Sequence, residues 1–159
     1  MAAGIHKNVE TMKSILLSIA LALPLSAYAH KVIGIADGDT LTLLVERKPL
    51  KIRLANIDAP EKAQAFGHRS RESLSELCFG KDATYDTQDI DKYGRTVAVV
   101  VCAGIDANRI QVQRGLAWIY PKYNKDASLP AMQDAAKAEK RGLWRDPAPI
   151  PPWEFRRKK

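Results

Sequence analysis

A chain of 159 residues, 46% hydrophobic and 27% charged, has the length for one domain with a real core and the composition of a folded globular protein. No internal repeat and no long low-complexity linker interrupts it. The formal net charge of +7 favours polyanionic partners such as nucleic acid or an anionic membrane, while three scattered histidines, His6, His30 and His68, exclude a zinc centre or a His-based nucleophile.

The N-terminal region carries Lys13, an apolar run from Ile15 to Leu23, Pro24, and the small-residue triplet Ala27-Tyr28-Ala29. A positive start, a short apolar segment and an A-x-A site describe a secretory signal peptide over residues 1–29, cleaved after Ala29. The run is short for a membrane span, so an uncleaved anchor is the weaker reading. Met12 is an alternative start, with residues 1–11 an upstream extension. Removing residues 1–29 takes away Lys7, Lys13 and Glu10, one of the seven net positive charges. The mature protein is then exported, periplasmic or extracellular, with no stable membrane association.

Lys31–Ala36 reads as a strand, Asp37-Gly38 as a hairpin turn, and Leu41–Val45 as the returning strand. Leu50-Lys51-Ile52-Arg53-Leu54 alternates apolar and basic residues with the period of a half-buried strand. Ser70–Phe79 predicts a helix with Leu74, Leu77 and Cys78 on one face and Gly80 as its stop. Residues 82–88 and 95–102 predict two more strands, joined by Asp89–Gly94. Asn108–Arg114 predicts a short helix before Gly115, and Leu129–Arg141 a third helix before Gly142. Residues 145–159 form a tail rich in Pro147, Pro149, Pro151 and Pro152, then basic through Arg156 to Lys159. The domain proper is thus expected over residues 30–144. Five short strands with late helices give an α+β fold, and an OB-type barrel fits the strand count.

Three segments hold the polar residues that can do chemistry. Asp37-Gly38-Asp39-Thr40 alone reads as a turn. Asp58-Ala59-Pro60-Glu61 alone reads as a helix entry. Asp91-Lys92-Tyr93-Gly94-Arg95 alone reads as a charged hairpin loop. Together they are more specific. Asp39 and Asp58 supply hard oxygen ligands, which favour Ca²⁺ or Mg²⁺ over zinc. Arg53 and Arg95 can bind phosphate bidentately, and Glu61 can orient or deprotonate a water. Phosphodiester hydrolysis needs a Lewis acid, charge clamps and a positioned nucleophile.

The order D-G-D-T, I-R-L, I-D-A-P-E, D-K-Y-G-R and N-R…R-G-L-A resembles the staphylococcal nuclease (thermonuclease) family from about His30 to Trp144. The resemblance implies a five-stranded OB-type β-barrel with three helices. It also implies Ca²⁺-dependent cleavage of DNA and RNA with little sequence preference. Carried over residue by residue, Asp39 and Asp58 match the calcium-binding carboxylates. Ala59, where the family has Thr, offers its backbone carbonyl to the metal. Glu61 matches the water-activating residue, and Arg53 and Arg95 the phosphate-binding arginines. Asp37 matches an outer-shell carboxylate, and Lys92 and Tyr93 lie beside the terminal phosphate. Tyr123 matches one base-stacking tyrosine. Pro121 stands where another is expected, with Tyr120 as its neighbouring substitute. The segment after Glu61 is shorter than the family's. The other reading, a non-catalytic OB-type module that only binds single strands, would be expected to lose acidic or arginine positions that this chain keeps. The working unit is expected to be a monomer acting on DNA and RNA.

Cys78 and Cys102 are the two cysteines. An even count in an exported chain, with both cysteines near one end of such a barrel, predicts a structural disulfide; two buried free thiols are the alternative.

Overall fold

The computed structural model describes residues 28–158, so residues 1–27 of the expected signal peptide lie outside it. Five strands close into a barrel. They are β1 (His30–Asp37), β2 (Thr40–Val45), β3 (Lys48–Leu54), β5 (Asp82–Ile90) and β6 (Thr96–Cys102). Antiparallel pairing runs β3-β2-β1-β5-β6, and a parallel pairing of β3 with β6, Ile52 to Thr96 through Leu54 to Ala98, shuts the ring. Alternation decides which side chains fill it. Leu41 and Leu43 of β2, Ile52 and Leu54 of β3, and Ala98, Val100 and Cys102 of β6 are all buried.

The first hairpin turn, Gly38-Asp39, is tight for a packing reason. A Cβ on Gly38 would stand 1.8 Å from Ser70 Oγ and 2.9 Å from the Ala59 Cβ. The turn therefore presses directly onto helix α1 (Gly67–Cys78) and onto the segment that follows the two-residue strand β4 (Ile57–Asp58). Helix α1 begins three residues earlier than the sequence pattern marks. It buries Leu74, Leu77 and Cys78 against the barrel.

A second two-residue strand, β7 (Ile105–Asp106), extends the sheet beside β6 and leads into α2 (Ala107–Gln113), whose N-cap Asp106 accepts the Arg109 backbone N–H. Two buried side chains of α2 bind the layers together. Asn108 accepts the Val100 N–H at 3.0 Å and donates to the Ala55 carbonyl at 2.9 Å. Gln111 donates to the Gly38 carbonyl at 2.7 Å and to the Ser70 carbonyl at 3.0 Å. Strand β8 (Trp118–Ile119) pairs with β4, and this pairing holds Asp58 opposite Trp118. Helix α3 (Leu129–Ala138) ends three residues before the expected Arg141 and gives way to a 3₁₀ turn, Gly142–Arg145. Gly115 and Gly142 both have positive φ and touch. A Cβ on Gly142 would lie 2.1 Å from the Gly115 carbonyl oxygen, so both positions exclude a side chain.

The three expected helices are present, and a fourth follows them. Pro152–Arg157 forms α4 inside the segment expected to be a Pro-rich basic tail. Pro152 in its first turn has no N–H to leave unpaired, so it starts the helix rather than stopping it. Cys78 and Cys102 form a disulfide with a Cα–Cα separation of 5.2 Å, tying the end of α1 to the end of β6.

Candidate active site

One open cleft of about 570 Å³ collects the residues that the sequence motifs singled out. The Gly38-Asp39 turn, β3, the segment after β4 and the β5–β6 hairpin bring Asp39, Arg53, Ala59, Glu61, Lys92, Tyr93 and Arg95 to its walls. Tyr120 and Tyr123, after β8, complete it. Asp58 lies fully buried beneath the surface and reaches the cleft through its arginine partners.

Asp39 is 3% exposed, and its two oxygens have distinct partners. Oδ1 accepts from Thr40 Oγ1 at 3.0 Å and Arg53 Nη1 at 3.1 Å, and Oδ2 accepts the Ala59 N–H at 2.8 Å. Burial pushes this carboxyl up to about 6; Arg53 opposes the shift, and the neighbouring Asp37 adds to it. Asp37 Oδ1 in turn accepts the Asp39 N–H at 3.2 Å. Arg53 bridges the two buried carboxylates, donating through Nη2 to Asp58 Oδ1 at 2.8 Å. Its own burial would lower its pKa, but Asp39 and Asp58 outweigh that and raise it. An arginine that reads in sequence as an outward strand residue is thus the ionic centre of the site.

Arg95 is positioned by a residue to which sequence reasoning assigned no role. Asp91 Oδ2 accepts from Arg95 Nε at 2.7 Å, and Asp91 Oδ1 accepts the Tyr93 and Arg95 backbone N–H groups. Burial pushes the Asp91 carboxyl up, yet these bonds prevail and hold it below the ordinary carboxylate range. The Tyr93 ring, with Lys92 Nζ 4.9 Å and the Arg95 guanidinium carbon 5.5 Å from its centroid, stands exposed at the rim.

Two more residues come from α4 and were not foreseen. Arg156 donates a fork to Asp58, Nη2 to Oδ2 at 2.7 Å and Nη1 to Oδ1 at 3.2 Å, and Nη1 also meets Glu61 Oε1 at 2.7 Å. These partners raise its pKa. Trp153 lies parallel to Tyr120, centroids 5.3 Å apart and planes 3° apart, while Tyr123 meets Tyr120 edge-on at 4.7 Å. The only sequence signal for Arg156 was its membership in a terminal basic run.

Among the described residues no group of three His, Cys, Asp or Glu side chains is gathered as a metal cage. Asp39 and Asp58 are hard oxygen donors of the kind that suits Ca²⁺ or Mg²⁺ rather than zinc, and Arg53 and Arg156 are the cations that meet them here.

A family model described as staphylococcal nuclease homologue matches residues 51–146. The chain is 42% identical over 130 residues to an uncharacterized endonuclease of Escherichia coli O157:H7, covering 81% of this chain and 85% of that protein. It is 37% identical over 163 residues to a micrococcal nuclease of Shigella flexneri, covering 94% of each. An uncharacterized endonuclease of Haemophilus influenzae is 44% identical over 128 residues, 80% of this chain and 72% of that protein.

Proposed function

The chain belongs to the staphylococcal nuclease family, and from that premise we propose that it is a calcium-dependent nuclease hydrolysing phosphodiester bonds in DNA and RNA. That it is a nuclease, a hydrolase acting on nucleic acid, follows from the family and from nuclease relatives that span most of its length. The observation that supports the finer reading is the convergence of Asp39, Arg53, Glu61 and Arg95 on one cleft, with Asp58 buried beneath it, from four separate segments.

Asp39, Asp58 and the Ala59 carbonyl would hold the ion. When bound, Ca²⁺ supplies Lewis-acid polarisation of a phosphoryl oxygen and offsets the charge that builds there. Arg53 and Arg95 clamp the other phosphate oxygens and neutralise the developing negative charge. Asp91 holds Arg95 ready, so little ordering is left to the moment of reaction. Glu61 orients a water for in-line attack and takes its proton. Lys92 and Tyr93, at the cleft wall, are the residues proposed to meet the terminal phosphate. Tyr123 and Tyr120 are the aromatic rings proposed to stack on a base, the Tyr120 ring being stacked on Trp153 in this structure. Contacts to phosphate and stacking on tyrosine carry no base identity, so sequence preference is weak.

The disulfide supports export to an oxidising compartment, where such bonds persist. No helix among the described residues is long and apolar enough to cross a membrane. We take the working unit to be a monomer.

The test is incubation with plasmid DNA and with RNA in Ca²⁺, in Mg²⁺ and in chelator. Cleavage of both polymers in Ca²⁺ alone is the expected result. Binding of single strands without cleavage under every condition would favour the non-catalytic module instead.

A further inference from the structure

Helix α4 places a guanidinium on the carboxylates proposed to hold the metal. Both Asp58 oxygens are engaged by Arg156, and the Glu61 carboxylate is shared with the same side chain. Asp58 is fully buried and also bonded to Arg53, so guanidinium N–H groups already occupy both of its oxygens. A divalent ion at Asp58 and a guanidinium forked on the same carboxylate repel each other and compete for the same oxygens. Arg156 also occupies the group proposed to activate water.

The seat of the helix is specific. Trp153 stacks flat on Tyr120 and meets Trp118 edge-on at 5.9 Å. The Gln64 side chain donates to the Ile150 carbonyl at 2.6 Å, fixing the chain just before the helix. Both α4 side chains therefore imitate ligands, one a cation on the acidic pair and the other a base on tyrosine. Against this firm seat stands the small size of the element: α4 has six residues. Its release exposes little of the core, because Pro152 is its one buried residue.

We propose that Arg156 is a built-in cation that is exchanged for Ca²⁺ at Asp58 and Glu61, so that docking of α4 sets the metal affinity of the site and its departure uncovers the face of Tyr120. This inference rests on the reading of Asp39 and Asp58 as metal ligands. Linkage then runs both ways: whatever binds the carboxylates releases the tail, and whatever holds the tail weakens ion binding.

The experiment is calorimetric titration of CaCl₂, without nucleic acid, into the full chain and into its Arg156→Ala and Arg156→Lys variants. Losing one charge-assisted hydrogen-bonded competitor is expected to tighten Ca²⁺ binding by about tenfold or more in Arg156→Ala, with Arg156→Lys between it and the parent. Hydrogen exchange on the unsubstituted chain gives an independent readout, whatever the folding of the variants. The amides of Glu154 and Phe155, which bond the Pro151 carbonyl, and of Lys158, which bonds the Phe155 carbonyl, are expected to lose protection when Ca²⁺ saturates the site. An affinity unchanged or weakened in Arg156→Ala, or a tail that stays protected in saturating Ca²⁺, overturns the exchange while leaving the metal reading intact. Absence of Ca²⁺ binding in the parent and both variants overturns the metal reading and the exchange with it.

Discussion

At the scale of single residues, the cleft is a charge problem solved with arginines. Asp39 and Asp58 are both buried carboxylates, and Arg53 sits between them. Removing a preorganised charge clamp costs about 10²–10³ in rate and removing a general base about 10²–10⁴. Arg53→Ala, Arg95→Ala and Glu61→Gln are each expected to lower kcat on that scale in saturating Ca²⁺. Steady-state kinetics on a single-stranded oligonucleotide measures it, and near-normal kcat in any of the three removes that residue from the mechanism. Asp91→Asn should lower kcat less than Arg95→Ala, because it loosens the guanidinium without deleting it. The double variant should be no worse than Arg95→Ala alone, and additive losses would separate the two residues. Most of these positions were legible in the sequence because each lies in a short motif whose chemistry is local. Asp91 went without a role because a carboxylate in a hairpin loop reads as solvated charge. Arg156 was illegible because its partners lie 95 and 98 residues away.

At the scale of elements, the strands were legible because half-buried β-structure alternates with period two, as in Leu50–Leu54. The paired two-residue strands β4 and β8 are too short to leave a period, yet they hold Asp58 in place. Helix α4 was hidden by its composition, since prolines and a basic run read as tail even though Pro in the first turn is a helix start. The loop before α3 is set by one carboxylate. Asp126 accepts from Arg109 Nε at 2.9 Å and from the Ser128 hydroxyl at 2.6 Å. These bonds, led by Arg109, hold its carboxyl down at about 2. A depressed folded pKa gives stability that is present above the unfolded value near 4 and lost as pH falls through 2. Asp126→Asn should therefore lower the urea midpoint at pH 7, and the gap to the parent should narrow at pH 3. An equal gap at both pH values would assign the effect to packing rather than charge.

At the scale of the whole molecule, a closed barrel supplies the rigid frame, and the Cys78–Cys102 bridge fastens helix to barrel. Cross-linking over a separation of 24 residues stabilises by about 3.5 kcal/mol on the chain-entropy account. Neither cysteine lines the cleft. The Cys78→Ala/Cys102→Ala double variant should lose about 3 kcal/mol in urea unfolding while retaining kcat below its melting range; a large loss of kcat in the folded variant would tie the bridge to the site. The net positive charge and the barrel were both legible in the sequence, but the docking of the chain's end across its own cleft was not, because it depends on tertiary partners that no local pattern encodes. The central claim is that hydrolysis runs through a cation held by Asp39 and Asp58. The most direct measurement is the cleavage rate of single-stranded DNA against free Ca²⁺ for the parent chain and for Asp39→Asn. The account predicts a parent rate that vanishes in chelator and saturates with Ca²⁺, and a variant that needs far more Ca²⁺ to reach any given rate. Full hydrolysis in chelator, or superimposable Ca²⁺ curves for the two proteins, would contradict it.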